Sequence, residues 1–477
     1  MKKNLLLALI ACGLVMNVLA QGEIPVDMHT GTPSIRIPIW TVTDHDLSLP
    51  VDMIYNVADV KLPNADDSRY GVGWFLSSNE IKITREVRGL PDDLIETTGA
   101  QRRGWLYQNA SGVTVASDIG NFSASADASS ATCTDETSDN SKLTSFNYTI
   151  DTEPDIFWFN VDGYSGSFVF DNSNTPVIRM MPWQDIKITY NTDNSRLASF
   201  IIKTNTGKTY IFGSVASNTK SAAKDDGITS VDILPAEYEF YKTPVTYNYS
   251  WGLTIVQSFS GARIDIGYET RQVTSVQDTR IGIYNQSNNT PLTKVRVKTL
   301  YTINETTTLK YVNLIKASSG GQVVFSYASE ALQEIIIHDL RRPSGSTQIK
   351  QFDLTFGAGG GRKFLSTITE GGSCQQMPPY IFTYLAGAML PSWKDVLAKD
   401  AWGYYNGKST NEHLVPKLYV YPDEPVQHRV RLYPIPAYVG TQIVLDGADR
   451  TPSAQHMIAG TLSAIRYPAR RDKLFSV

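Results

Sequence analysis

An all-β fold, built of stacked antiparallel hairpins that form sandwich-like or curved-sheet lobes, is what this sequence predicts, and three observations predict it. Charged residues make up 19% of the chain while tyrosine alone contributes 25 residues alongside plentiful Thr and Ser, the bias of pleated, half-buried surfaces. Apolar and polar residues alternate in short runs almost from end to end. Long helical periodicity is missing: Pro391 could open a first turn, but Ser392-Trp393-Lys394-Asp395-Val396-Leu397 supports a short helix at most.

The chain opens with an export signal. Lys2 and Lys3 precede an apolar run from Leu5 to Ala20, which closes on Val18-Leu19-Ala20 before polar sequence begins at Gln21. This order of charge, greasy core and small-residue cleavage site is that of a secretory signal peptide. The run is too short and poorly flanked for a membrane span, and no later window supplies one. Leu9-Ile10-Ala11-Cys12 also has the form of a lipobox, which would make Cys12 a lipidated N-terminus. The apolar run continues past Cys12, which favours cleavage after Ala20 and a secreted or outer-surface location.

Residues 1–20 hold two lysines and no acids, so the formal charge of −4 becomes −6 once they are removed. A mildly acidic chain without a basic stripe has nothing to grip phosphates, which argues against nucleic acid as a partner. Cys133 and Cys374 then remain. One disulfide is permitted in an oxidising compartment, but sequence separation says nothing of proximity, and a scaffold of disulfides is excluded.

The strands follow in order. Ser34-Ile35-Arg36-Ile37-Pro38-Ile39-Trp40 alternates, as does Glu80-Ile81-Lys82-Ile83-Thr84-Arg85-Glu86-Val87. Phe157–Val161 and Gly166–Phe170 flank Asp162-Gly163 and read as a hairpin. A loose repeat runs through the middle. Leu197–Lys203 turns at Asn205-Thr206-Gly207 and returns to Phe212, Leu253–Val256 turns at Ser260-Gly261 and returns to Tyr268, and Leu314–Lys316 turns at Ser319-Gly320-Gly321 and returns to Tyr327. Hairpins of this kind cannot bury an apolar face alone, so copies must pack together. Residues 121–142, rich in Ser, Ala, Thr and Asp, predict a solvated, disordered loop, and residues 214–230 a second polar insertion. The resulting division is a signal peptide at 1–20, an N-terminal β domain at 21–213, a hairpin-repeat region at 214–390 and a C-terminal segment at 391–477.

Reactive chemistry is sparse in this sequence. His29, His45, His338, His413, His428 and His456 are scattered and match no metal-ligand spacing. Gly163-Tyr164-Ser165-Gly166 is one residue too tight for a nucleophile elbow. In Gly357-Ala358-Gly359-Gly360-Gly361-Arg362-Lys363, Arg362 interrupts any phosphate loop and Phe364 replaces the hydroxyl, leaving a hairpin loop. Glu153 and Asp155 read as same-face neighbours on a strand, about 7 Å apart, a spacing compatible with glycoside hydrolysis, although Pro154 sits between them. Asn64, Asp66 and Asp67 offer oxygens for calcium but more often make a solvated turn. Trp402, Tyr404 and Tyr405 could stack on a sugar or simply fill a sheet core. No catalytic, cofactor-binding or metal-ligating residue is therefore assigned, and no cofactor is expected.

Several of these segments carry a family likeness. They are Thr30-Gly31-Thr32-Pro33-Ser34-Ile35-Arg36-Ile37-Pro38-Ile39, Leu49-Pro50-Val51, Gly71-Val72-Gly73-Trp74-Phe75-Leu76, and Ile83-Thr84-Arg85-Glu86-Val87-Arg88-Gly89-Leu90-Pro91-Asp92-Asp93. Glu153-Pro154-Asp155-Ile156-Phe157, Trp402-Gly403-Tyr404-Tyr405-Asn406-Gly407, Gly447-Ala448-Asp449-Arg450 and Gly460-Thr461-Leu462 through Tyr467-Pro468 follow in order. Together they make the chain resemble the N-terminal region of the Rhs/YD-repeat proteins of Bacteroidetes. The resemblance implies a non-catalytic structural portion of a large exported cell-surface or secreted shell, whose YD repeats build a hollow wall, often around a C-terminal toxin. Encapsulation, toxin delivery or adhesion would be its role, and a downstream shell or toxin cargo its partner. Where such proteins continue into Thr-Gly-Gly and further hairpins, this sequence reads Ala469-Arg470-Arg471-Asp472-Lys473, so a truncated member with an unpaired, adhesive strand edge is expected. The reading of a different class is an exported glycan-binding or glycan-hydrolysing β protein.

Overall fold

The computed structural model describes residues 34–56, 69–96, 102–107, 151, 153–171, 173, 175–225, 245–284, 296–359, 362–371, 377–385, 390, 397–411, 414, 416–425, 429–431, 434–445, 447–468 and 473–474. The signal segment with Cys12, the 121–142 loop, the Asn64–Asp67 cluster, His29, His413, His428, Cys133, Cys374 and Pro391 lie outside them. The fold is nearly all β, as the alternation predicts. Among the described residues no helix is long and apolar enough to cross a membrane.

A first, three-stranded sheet is formed by β1 (Ser34–Asp44), β2 (Leu47–Asn56) and β3 (Trp74–Leu76). Ile35, Ile37 and Ile39 on β1 and Leu47, Leu49, Val51, Met53 and Tyr55 on β2 are buried on one face. The register shifts between Pro38 and Trp40, because proline has no N–H to give to the ladder and belongs at a bulge.

The second sheet holds most of the chain. β4 (Lys82–Glu86), β5 (Ile156–Val161), β6 (Tyr164–Phe170) and β7 (Ile178–Met181) pair in sequence. β8 (Ile186–Asp193), β9 (Arg196–Thr204) and β10 (Thr209–Asp225) do the same. β11 (Thr246–Gln257) lies against both β10 and β4, which joins the two groups. Then come two long strands, β12 (Arg263–Tyr284) and β13 (Arg296–Ala317), followed by β14 (Gly321–Ala328), β15 (Ala331–Asp339), β16 (Gln348–Gly359), β17 (Arg362–Gly371) and β18 (Tyr380–Tyr384). A separate small sheet contains β19 (Leu418–Val420), β20 (Val430–Arg431) and β21 (Ile443–Leu445). After the four-residue helix α1 (Ala454–Met457), β22 (Leu462–Arg466) returns to pair with β18 and carries β23 (Lys473–Leu474).

The large sheet closes on itself. β10 pairs with β9 and β11 along its first part, and at Thr219–Asp225 it pairs with Thr302–Thr308 of β13. Since β11 also meets β12 at Ile255–Gln257, strands β10, β11, β12 and β13 complete a ring. Here the expectation of a polar insertion from 214 is corrected: residues 214–225 continue β10. Backbone pairing with β11 at Ser217–Ser221 and with β13 at Thr219–Asp225 holds that stretch in the sheet, and such pairing makes no demand for apolar side chains. The register breaks between Phe212 and Ser217, where Gly213 and Ser214 both have positive φ, so a bulge re-aims the strand toward β13.

The three repeat hairpins form as predicted, and their turns are the same in detail. Gly207 N–H donates to Thr204 O, Gly261 N–H to Ser258 O and Gly320 N–H to Ala317 O, at 3.1, 3.1 and 3.0 Å. Each glycine has φ between 81 and 102°, the left-handed residue that ends a type I hairpin turn in a bulge. The Asp162-Gly163 hairpin is a tighter, two-residue form with both φ positive. The Gly-rich stretch at 357–363 is also a hairpin connection, with Gly359 paired to Arg362.

Both sheets share one apolar core, from Ile37, Val51 and Trp74 to Phe157, Trp251, Ile315 and Leu365. Its aromatic centre has Phe157 stacked on Phe168 at 5.1 Å and Phe200 edge-on to Trp251 at 4.9 Å. Buried indoles find acceptors, as they must: Trp251 donates to Leu197 O at 3.1 Å and Trp74 to Tyr384 Oη at 2.8 Å. The small first sheet is pinned by Asp44, which accepts from Arg263 N and the Ser318 hydroxyl, and by Tyr55, whose hydroxyl accepts from Leu462 N.

Two glycine substitutions separate backbone strain from crowding. At Gly261 an added Cβ meets open space, so Gly261→Ala is expected to cost about 1 kcal/mol from the left-handed φ alone. At Gly213 the same atom would lie 2.5 Å from Ala198 O and from the Trp251 ring, so Gly213→Ala is expected to cost more. Urea unfolding followed by tryptophan fluorescence checks the order, and equal midpoints for the two variants would contradict it.

Candidate functional site

Ile81, Ile83, Arg85 and Val87 alternate along one side of the β4 segment, so the strand that buries Ile83 also drives Arg85 inward. The Arg85 side chain is wholly buried, and a charge in that position needs partners. It finds them on three other segments. Its Nε donates to Asp155 Oδ2 at 2.5 Å and its Nη1 to Asp93 Oδ1 at 2.8 Å and Asn248 O at 3.3 Å. The guanidinium also lies 5.5 Å from the Phe157 ring centre and 6.0 Å from that of Tyr247.

Asp155 sits just before β5, and Asp92 and Asp93 on the turn after Pro91. Asp92 N donates to Asp155 Oδ2 and Asp155 N to Asp92 Oδ1, both at 2.9 Å, a reciprocal pair that clips the turn to the strand. Asp155 Oδ1 accepts from Arg88 N at 2.7 Å, and Asp93 Oδ2 from Leu197 N on β9 at 2.8 Å. Asp151 accepts from Leu90 N at 3.4 Å. Asp92, Asp93, Asp151 and Asp155 are all at most 1% exposed.

Four carboxyl groups are thus buried here, and three of them, Asp93, Asp155 and Asp92, act on the one guanidinium. Burial, and then the charge of Asp155, push Asp151 up to about 8. Burial and the neighbouring Asp155 raise Asp92 well above the ordinary carboxylate range. Burial also raises Asp155, although Arg85 works against it. Burial acts to lower Arg85, but Asp93, Asp155 and Asp92 outweigh it and hold the guanidinium protonated. What such an arrangement does chemically is to tie β4, β5, β9 and the 87–96 segment into one unit, in which burial favours the protonated form of Asp151 and Asp92.

The residues weighed from sequence are dispersed by the fold. Glu153 and Asp155 do not lie together on a strand, since β5 begins at Ile156. Glu153 is exposed and 3.9 Å from Arg88, while Asp155 is locked in the buried cluster. His45 is in an exposed turn, His338 lies on β15, and His456 stands edge-on to Tyr405 with its Nδ1 2.7 Å from Ser453 Oγ. Among the described residues no group of three or more potential ligands could hold a metal ion. Of the aromatic trio, Trp402 is 62% exposed whereas Tyr404 and Tyr405 are half-buried. The turn is shaped by Asp400, whose Oδ1 accepts from Trp402 N and Tyr404 N, both at 2.9 Å. Beside it opens a pocket of about 170 Å³ lined by Lys417, Tyr419, Asp449 and Arg450 among others. A wider cleft of about 480 Å³ lies between the first sheet and the large one, with Arg36, Glu80 and Asp162 at its edge and Leu253 and Val256 in its floor.

Sequence reading placed Arg85, Asp92, Asp93 and Asp155 in family-like segments without seeing that they meet, and it passed over Asp151. The available signal was Arg85 itself, a charge on the face that Ile81 and Ile83 define as inward.

No protein-family model matches the chain, and no curated protein matches it. Among solved structures it is similar to the TcdB2-TccC3-Cdc42 complex (10% identity, TM-score 0.37, covering 74% of this chain and 16% of that one). It is similar too to the Photorhabdus luminescens Tc holotoxin pore (11% identity, TM-score 0.37, 78% and 16% covered). A third likeness is to the N-terminal domain of the effector SpvB from Salmonella typhimurium (8% identity, TM-score 0.33, 71% and 98% covered). The chain spans about a sixth of the length of the first two.

Removing the cation strands its acids. Arg85→Met is expected to destabilise the fold by about 3–5 kcal/mol, the cost of leaving buried carboxylates uncompensated. Adding Asp155→Asn to that variant is expected to restore part of the loss. Chemical denaturation of the two variants measures both effects, and a second substitution that merely adds its own cost would sink the reading.

Proposed function

We propose that this chain is a non-catalytic structural portion of an exported Rhs-type cell-surface or secreted shell protein, a wall segment serving encapsulation, toxin delivery or adhesion. The reading rests on the family-like segments in the sequence, and one observation carries it: where those segments fall among the described residues, their distinctive side chains are used to hold sheets together. Arg85, Asp92, Asp93 and Asp155 make the buried cluster. Trp74 is buried and tied to Tyr384 across 310 residues. Gly73 has a positive φ and lies so close to the Tyr55 ring that a Cβ would sit 2.5 Å from it. Asn406 is buried and bridges to Asp449 O at 2.9 Å and Thr451 O at 3.3 Å, joining the segments at 402–407 and 447–450. Residues selected for such tasks specify a wall, and a continuous curling sheet is what a wall requires.

The test pairs the exported chain with an Rhs-repeat polypeptide from the same genome, expressed separately. The expected result is a co-eluting complex on size exclusion in which both partners resist trypsin longer than either does alone. No association would count against the shell reading. The second reading, glycan binding, draws on the exposure of Trp402 beside the 170 Å³ pocket. A glycan-array signal that Trp402→Ala reduces at least about tenfold, the loss of one stacking contact, would support that alternative.

A further inference from the structure

Eight strands of the large sheet run in one unbroken series, β7–β6–β5–β4–β11–β10–β9–β8, each paired to the next. Laid flat, the two ends of such a series would stand about 34 Å apart at the usual strand spacing. Yet β7 ends at Met181 and β8 begins at Ile186, and the linker Pro182-Trp183-Gln184-Asp185 lets them stand at most about 18 Å apart. The series therefore curls until its end strands approach. It does not close: among the described residues β7 pairs only with β6 and β8 only with β9, and the two do not run side by side.

The slit between them is bounded. At one end Tyr190 of β8 stands edge-on to Phe170 at 4.9 Å, and its hydroxyl donates to Pro176 O at 3.4 Å. At the other the linker crosses, with Gln184 Nε2 donating to Ser165 O and Asp185 accepting from Asn205 Nδ2 at 3.1 Å. Between these ends the core is open. Inward residues of the neighbouring strands, such as Phe168, Phe170, Phe200 and Ile202, are buried. On the slit strands Ile178, Met180, Ile186 and Tyr190 touch the core but stay half-buried, and only Ile188 is covered. Val177, Met181 and Trp183 are exposed close by in the chain, Trp183 at 79%. The outward side of β8 supplies charge. Lys187 lies directly opposite Lys203 of β9, both are exposed, and neither ammonium has a partner among the described residues. Like charges set opposite one another on a sheet repel. The acids nearby are engaged or distant: Asp185 holds Asn205, Asp171 holds Arg179 at 2.8 Å, and Asp193 lies at the far end of β8.

We propose that this slit is a strand-addition site for a short extended peptide segment, apolar at alternate residues and acidic at those between. Backbone, core and charge all fit that occupant. The slit-facing edges of β7 and β8 carry N–H and C=O groups that no neighbouring strand uses, and an extended backbone is what such an edge pairs with. Alternate apolar side chains of the added strand would turn inward and cover Ile178, Met180 and Ile186. The residues between them would turn outward, one of them opposite Lys187, where a carboxylate answers the lysine pair. A second copy of this chain, paired along β8 in the same sheet, would instead bring its own two lysines to that face. The site stands apart from the shell reading, because it requires no Rhs-type partner.

Fluorescence anisotropy of the full chain with labelled peptides tests this. Ser-Val-Glu-Ile-Glu-Val-Ser is expected to bind about tenfold more tightly than Ser-Val-Lys-Ile-Lys-Val-Ser, the difference between opposite and like charges across the ladder. Ser-Val-Glu-Pro-Glu-Val-Ser, whose proline breaks the ladder, is expected not to bind. Lys187→Glu, or Lys203→Glu should the first variant fold poorly, is expected to reverse the preference for acid over base. In hydrogen exchange the acidic peptide is expected to add protection at residues 178–181 and 186–190 and none at 309–317. No binding of the acidic peptide, which would leave Lys187 as a guard against edge pairing, overturns the proposal. Equal binding of the proline peptide, an unreversed preference in a folded variant, or protection gained only outside the slit would each do the same.

Discussion

Desolvation of a single guanidinium sets the terms for the N-terminal half of the sheet. Arg85 points inward because β4 alternates, and alternation cannot be relaxed at one residue without turning Ile83 to solvent. Wholly buried, the guanidinium takes its acceptors from the protein, on segments that the β4–β5 ladder and the Asp92–Asp155 clip also bring together. Asp93 lies 8 residues away and Asp155 70 residues away. Once seated, Asp93 uses its second oxygen on the backbone of β9 and Asp155 accepts from Arg88 N and Asp92 N of the 87–96 segment. One buried charge thereby organises four segments.

This cluster is weak evidence for net stability, since a well-packed apolar replacement of similar volume often does as well. Its effect is on register. The aromatic contacts around it, Phe157 on Phe168 and Phe200 against Trp251, would tolerate sliding by a fraction of a ring. The ionic contacts would not, because slipping β4 by one residue turns Arg85 outward and leaves buried carboxylates with no cation. The apolar faces supply the driving force for layering, and the charged cluster selects which layering is used.

The sequence made the hairpins legible because their causes are local. Period-two alternation and a left-handed glycine act over a few residues, and the turns at Gly207, Gly261 and Gly320 could be read one at a time. The run 214–225 was not legible as strand, because its place depends on two partners, β11 and β13, that lie far along the chain. A polar strand held by backbone pairing alone carries no compositional mark. The candidate site was half legible. Arg85 could be seen as a charge on an apolar face, but the identity of its partners depends on loop paths that no spacing rule encodes. Glu153 and Asp155 show the converse error, a spacing that fits a reaction but that the chain spends on one exposed and one buried residue.

The ring of β10, β11, β12 and β13 gives the same argument a second setting. A strand that pairs with β9 and β11 at one end and with β13 at the other must change direction between them, and the change is concentrated where Gly213 and Ser214 take up positive φ. Gly213 lies against Ala198 O and Trp251, and Trp251 in turn donates to Leu197 O, next to the backbone amide that Asp93 accepts from. The bulge that curls the sheet and the ionic cluster that registers it therefore meet at Leu197, the buried second residue of β9. Curvature and register are not independent choices in this protein: a sheet that failed to bend at Gly213 would carry Trp251 away from Leu197 and misplace the strand on which Asp93 closes.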